Sequence, residues 1–223
     1  ETKPTQITPT MQHQRLWFGW ACYLRIRDGE TENVTTQEWI RFTTADAFWK
    51  WASDKAYSRT RLWVFAHNWN FDAAILNVSN VLPSQRWELV TYINDKPPFI
   101  LDFRRESTTI RLVDTLNYFA GSLEPIGESI GINKLPFPSY KASARTWDSY
   151  CRRDVGVMVK AVRGFRTLVS EERLGNFQST LASQAFNAYR HRFMDTQILI
   201  HGDAESNQVE REGYYGGRTE CFY

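Results

Sequence analysis

The apolar run Leu62-Trp63-Val64-Phe65-Ala66, followed at once by His67-Asn68-Trp69-Asn70-Phe71-Asp72, decides how this chain is read. Five consecutive apolar residues bounded by a polar turn read as a buried central strand, and Asp72 then stands at the start of a short helix. Upstream, Phe48, Trp51 and Ala52 recur at helical spacing between Ala45 and about Ala56. Before that helix, residues 16–26 and 34–42 are rich in aromatic and β-branched side chains on either side of Asp28-Gly29, the signature of two antiparallel strands. Downstream, the pattern predicts a hairpin around Asn94 to Pro98 and a strand at Thr109 to Val113. One long helix follows, with Trp147, Cys151, Asp154, Val155, Met158, Val162 and Phe165 at steps of mostly three and four. This order predicts an α/β fold, a mixed sheet flanked by helices, antiparallel first and parallel later. Ligands of such sheets collect at the carboxyl ends of the strands. The expected boundaries are one domain over 1–170 and an extension over 171–223, with a helix near Thr180 to Phe193 and a Gly-rich, strand-like end.

Composition narrows the function classes. A chain of 223 residues with 42% hydrophobic and 23% charged content can bury its own core without disulfides. A formal charge of only +2 excludes a uniformly basic nucleic-acid binder, so any such contact must come from local arrangement. The 15% aromatic content, with nine Trp, serves burial first and base stacking second. Cys22, Cys151 and Cys221 are far apart and odd in number, so neither a zinc site nor a disulfide framework is legible, and a cytoplasmic setting is expected. There is no apolar run of about 18 residues and no signal-peptide pattern, so no membrane span is expected. The chain does not open with Met, which points to a start inside a longer polypeptide.

Candidate chemistry comes from the acids placed at the ends of core elements. Asp72 follows the apolar strand, and Asp154 lies on the long helix with Tyr150 at i−4, so the phenol and the carboxylate share one helix face. Hydrolysis of a phosphodiester by two hard cations needs several such carboxylates converging on one point. Each feature also has a purely structural reading: an acid favourable at a helix N-terminus, or a Tyr/Asp pair on a solvated face.

In order and spacing, Asn68 to Asp72 (N-x-x-F-D) and Tyr150 to Asp154 (Y-x-x-x-D) resemble the second and third motifs of the DEDD 3′→5′ exonucleases. Glu1-Thr2-Lys3 resembles the tail of that family's first motif, D-x-E, with Glu1 as the remaining acid. Further matches resemble the exonuclease part of protein-primed family B DNA polymerases over nearly the whole chain. His67-Asn68 looks like the family's H-N pair. Thr115-Leu116, with Phe119 three residues on, matches a motif that grips single-stranded DNA and terminal protein, and Lys134 to Phe137 matches K-x-x-hydrophobe. The run Arg211 to Arg218 contains Tyr214-Tyr215-Gly216-Gly217, which resembles the Y-x-G-G element joining exonuclease and polymerase domains. Glycines there permit close approach to a phosphate, and Arg218 adds charge.

The resemblance implies a ribonuclease H-like domain with an extension toward a polymerase palm. It implies metal-dependent release of nucleotides from a 3′ end, with Glu1, Asp72 and Asp154 holding two Mg²⁺ or Mn²⁺ ions and Tyr150 orienting the attacking water. Asn68, Phe71, Thr115, Leu116, Phe119, Lys134, Tyr214, Gly216, Gly217 and Arg218 would contact a single strand or primer terminus. The implied partners are that DNA, a terminal protein and a polymerase domain of the same polypeptide. Two other readings stay open: a DNA- or terminal-protein-binding module without catalysis, and a free-standing DEDD exonuclease.

Overall fold

The computed structural model describes residues 1–8, 11–27, 33–95, 97–196 and 202–213. Asp28-Gly29, Lys96 and the Tyr214 to Arg218 motif lie outside them, as does Cys221. The chain opens with two antiparallel pairs rather than the single pair expected. β1 (Thr2–Thr8) pairs with β2 (Met11–Leu16), and β3 (Gly19–Arg27) pairs with β4 (Asn33–Phe42). The first pair escapes a reading by apolar alternation because its residues are mostly exposed and polar. Gly19 opens β3 because a Cβ there would run into the Phe42 ring opposite it.

Helix α1 (Ala45–Asp54) starts where expected, with the Thr44 hydroxyl accepting from the Ala47 N–H at 3.2 Å. β5 (Arg61–Ala66) follows, then the short helices α2 (Trp69–Ile75) and α3 (Val78–Ser84). The hairpin of β6 (Glu88–Asn94) and β7 (Phe99–Arg105) leads into β8 (Thr108–Asp114). These four strands form one mixed sheet in the order β5-β8-β7-β6, with β5 parallel to β8 and the other pairs antiparallel. β5 is therefore an edge strand of that sheet, not the buried central strand expected, and its residues are mostly half-buried. Its apolar run arises because both faces are covered. Leu62, Val64 and Ala66 pack on the main core, while Trp63 and Phe65 meet Phe177.

That main core is built on Trp49, Trp69, Trp87, Leu82, Phe103, Ile110 and Leu112, all nearly inaccessible to water. A second cluster joins α4 (Leu123–Ser129) to α5 (Ala144–Glu171) through Leu123, Ile126, Val157 and Ala161. α5 also packs against β3, and the Asp148 carboxylate fixes it there by accepting from the Trp20 indole at 3.1 Å and from Arg41 at 2.7 Å. α6 (Leu181–Ala188) is capped by Thr180 and runs into a π-helical turn, Tyr189–Phe193.

The first compact unit spans Glu1–Arg192 rather than ending at residue 170. Residues after α5 belong to it because Asn117 donates to the Ser179 carbonyl at 3.0 Å, Tyr118 to the Gln178 carbonyl at 2.7 Å, and Arg111 to the Ser179 hydroxyl at 2.9 Å. The second unit, Phe193–Tyr223, contains α7 (Ala204–Gly213), where the Asp203 carboxylate accepts from the Ser206 N–H at 2.7 Å. Among the described residues no helix is long and apolar enough to cross a membrane.

Candidate active site

The parallel register Ala66↔Asp114 brings the carboxyl ends of β5 and β8 side by side, so the two chain segments leaving them share one edge. Asp114 organises that edge. Its carboxylate accepts from the backbone N–H groups of Asn68 at 3.0 Å, Trp69 at 2.7 Å and Leu116 at 2.9 Å, and it is 2% exposed. It thereby satisfies the free N–H groups at the start of α2 from a neighbouring strand, which the Asn68 side chain does not do. Asn68 sits at φ +72°, the left-handed conformation Asn tolerates, and this reverses the chain between β5 and α2. Trp69 then locks α2 to the sheet. Its indole donates to the Val113 carbonyl at 3.1 Å and stacks on Phe99.

With α2 so anchored, Asp72 is drawn partly out of water, and its pKa rises from 3.8 to about 6. Burial is the main cause; the α-amino group of Glu1 opposes it, while Asp114 and Glu1 add repulsion. Glu1 extends the β1–β2 ladder, donating to the Phe18 carbonyl at 2.8 Å and accepting from the Trp17 N–H at 3.0 Å. Its side-chain carboxyl is likewise pushed up, first by burial, with a further contribution from Asp154. The charges of Glu1 and Asp72, and of Glu1 and Asp154, therefore repel one another.

Asp154 and Tyr150 lie one turn apart on α5, as their spacing requires. Lys134 meets both: its ammonium is 3.0 Å from Asp154 Oδ2 and 5.1 Å from the centre of the Tyr150 ring. Burial raises the Asp154 pKa against the pull of Lys134 and Tyr150. Burial opposes the Lys134 charge, yet hydrogen bonds to Tyr150 and Asp154 hold its pKa above the ordinary lysine value. The other Asp154 oxygen, Oδ1, is buried with no hydrogen-bond partner. An acceptor left in this state costs free energy unless something else completes it. Among the described residues, however, no three His, Cys, Asp or Glu side chains are drawn close enough to enclose a metal ion.

The expected strand contacts divide into exposed and buried groups. Phe71 is 47% exposed, Asn68 is exposed, and a depression of about 250 Å³ is lined by Asn68, Asn70 and Leu116 among others. Thr115 is 1% exposed, which corrects its reading as a direct strand contact. Its hydroxyl donates to the Ala66 carbonyl at 3.2 Å and lies 2.9 Å from His67 Nδ1. The oxygen that caps the turn after β8 belongs to Asp114. Phe119 packs on the second core cluster and edge-on to Phe165, so its ring supports the core. Lys134 faces Asp154 and Tyr150. Asp114 has no role in the sequence reading. Its position at a strand end, directly before Thr-Leu, was the available signal.

Burial-shifted acids, an aromatic at the surface and strand ends set side by side define a mixed α/β domain with an acidic site at the carboxyl edge of its sheet. No family model and no curated protein matches the sequence. Among solved structures the fold is similar to Phi29 DNA polymerase complexed with primer-template DNA in a post-translocation binary complex, with TM-score 0.52 and 14% identity over 78% of this chain and 34% of that one. The same polymerase complexed with primer-template DNA and incoming nucleotide substrates aligns with TM-score 0.51 and 14% identity over 78% of this chain and 33% of that one. The likeness is one of fold, and the chain spans about a third of that polymerase's length.

Proposed function

We propose that this chain is the 3′→5′ exonuclease part of a family B DNA polymerase and removes nucleotides from a single-stranded 3′ end. The observation that carries this reading is the state of Asp154: withdrawn from water, with one oxygen on Lys134 and the other without a donor. A structural carboxylate is normally completed by the protein, as Asp114 is; one left half-completed beside Glu1 suits a cation that arrives with substrate. Glu1, Asp72 and Asp154 offer the hard oxygen donors that Mg²⁺ or Mn²⁺ takes; they do not enclose a cation as they stand, and would hold it once drawn together around a bound strand. When bound, such ions ionise the attacking water and neutralise charge on the leaving oxygen. Tyr150 would orient that water through its hydroxyl, and Lys134 would exchange its contact with Asp154 for a phosphate oxygen. Phe71 would stack on the terminal base, with Asn68 and Leu116 lining the groove beside it. Arg218 and the glycines before it, outside the described residues, would extend the strand contact. A terminal protein and a polymerase domain of the same polypeptide are the partners this role implies.

The test is digestion of 3′-labelled single-stranded DNA with Mg²⁺ or Mn²⁺, by a version extended upstream with the Asp that the D-x-E pattern calls for. Stepwise release of mononucleotides that disappears in Asp154→Ala is the expected result. Digestion undiminished in that variant would end the enzyme reading. A binding module without catalysis is favoured by one observation, the Lys134 ammonium already resting on Asp154. That reading predicts no heat of Mn²⁺ binding in a calorimetric titration, whereas the exonuclease reading predicts binding that Asp154→Ala removes.

A further inference from the structure

A second depression of the first unit lies beside α5. It is an open groove of about 900 Å³ between α5, the 131–135 loop and β4, and no carboxylate lines it. Its α5 wall carries Arg152 and Arg153, both exposed, while Tyr150 and Asp154 project from another side of the same helix. Arg152 is held against two indoles, its guanidinium carbon 5.1 Å from the ring centres of both Trp20 and Trp39. Packed in this way, the guanidinium keeps its plane fixed and its N–H edge free for a phosphate. Arg153 donates to the Asn133 carbonyl at 3.0 Å, which aims it along the groove and leaves its other donors unused. Three acids adjoin lining residues in sequence and each is engaged elsewhere: Asp148 by Trp20 and Arg41, Asp154 by Lys134, and Glu38 by Trp51 and Lys55. At Gly131 and Gly156 an added Cβ would meet nothing within 4 Å, so a sugar-phosphate backbone has room to approach.

We infer that this groove is a second binding track for single-stranded DNA, with Arg152 and Arg153 on consecutive phosphates and the Trp39 ring available to a base. Positive charge without a competing acid selects a polyanion, and a partly exposed indole beside it selects one that carries bases. The track would hold the strand at a distance from the end presented to Asp72 and Asp154. This inference rests on reading the chain as a handler of single strands.

The test is fluorescence anisotropy with labelled oligo(dT)20 across a salt series, combined with photo-crosslinking of an oligonucleotide carrying 5-iodouracil. The double variant Arg152→Ala/Arg153→Ala should weaken affinity about five- to twentyfold at low salt. It should also lower the slope of log K against log[salt] by about 1.4, the release expected for two phosphates of a single strand. The parent should crosslink through Trp39. Because Arg152 also supports the two indoles, Arg153→Glu serves as a second variant and should weaken binding at least as much as the loss of Arg153 alone. Parent-like affinity and slope in both variants would overturn the second track. Loss of affinity in both variants, with Phe71→Ala and Asp154→Ala changing neither binding nor digestion, would instead keep the groove and reject the exonuclease reading.

Discussion

Asp114 is buried and Asp154 half-buried, and their surroundings are opposite. Asp114 accepts three backbone N–H groups from two segments and is 2% exposed. Asp102, on β7, is equally complete, with Arg111 donating to both of its oxygens at 2.7 and 2.6 Å. Asp154 has one ionic contact and one orphaned oxygen, and burial, with repulsion from Asp114 and Glu1 added, lifts the pKa of Asp72 to about 6. The first pair belongs to the architecture, since removing either acid strands its donors. The second pair weakens the fold, and such strain persists where a ligand or a reaction needs it.

The sharpest way to break this comparison is to remove the acids in turn. Asp114→Ala leaves three buried N–H groups without an acceptor and should cost about 3 to 4 kcal/mol in urea unfolding, enough to loosen α2. A loss under about 1 kcal/mol would mean that Asp114 does not hold the β5–α2 turn. Asp154→Asn should do the reverse, abolishing digestion by at least about a hundredfold while leaving the urea midpoint unchanged or raised. A variant both inactive and strongly destabilised would place Asp154 with Asp114.

The Asp72 carboxyl sharpens the contrast through pH. Its folded-state pKa lies above the free value of 3.8, so the cost of ionising it is absent below about pH 4 and complete above about pH 6. The parent should therefore lose on the order of 2 kcal/mol of stability as pH rises through that window, relative to Asp72→Asn. Since a metal ligand must be ionised to bind, Mn²⁺ affinity should rise through the same window. Matching pH–stability curves for parent and variant would remove the strain from Asp72. The smallest effect is expected at Tyr150, whose ring packs edge-on to Phe137 and Trp147 whether or not the hydroxyl is present. Tyr150→Phe should slow digestion about tenfold and leave Mn²⁺ affinity intact; a loss as large as that of Asp154→Asn would make the hydroxyl a ligand rather than a positioning group.

Local pattern by itself determined most of the elements. Helical spacing in Phe48, Trp51 and Ala52, the apolar run 62–66 and the long period from Trp147 to Phe165 each specify their own backbone, because side-chain periodicity follows from local geometry. The i, i+4 spacing likewise put Tyr150 and Asp154 on one face before any fold was known. The polar pair β1–β2 was invisible to that logic, since its ladder depends on partners along the chain and buries little. Tertiary structure alone decided which acids are complete. Asp114 ends β8 and Asp72 lies in the helix that follows β5, and only the parallel register Ala66↔Asp114 turns the first toward three N–H groups while the second is left to burial. It also decided that Thr115 and Phe119 serve the interior and that Lys134 meets Asp154, since a hydrogen bond or ion pair between residues distant in sequence depends on where packing sets their backbones.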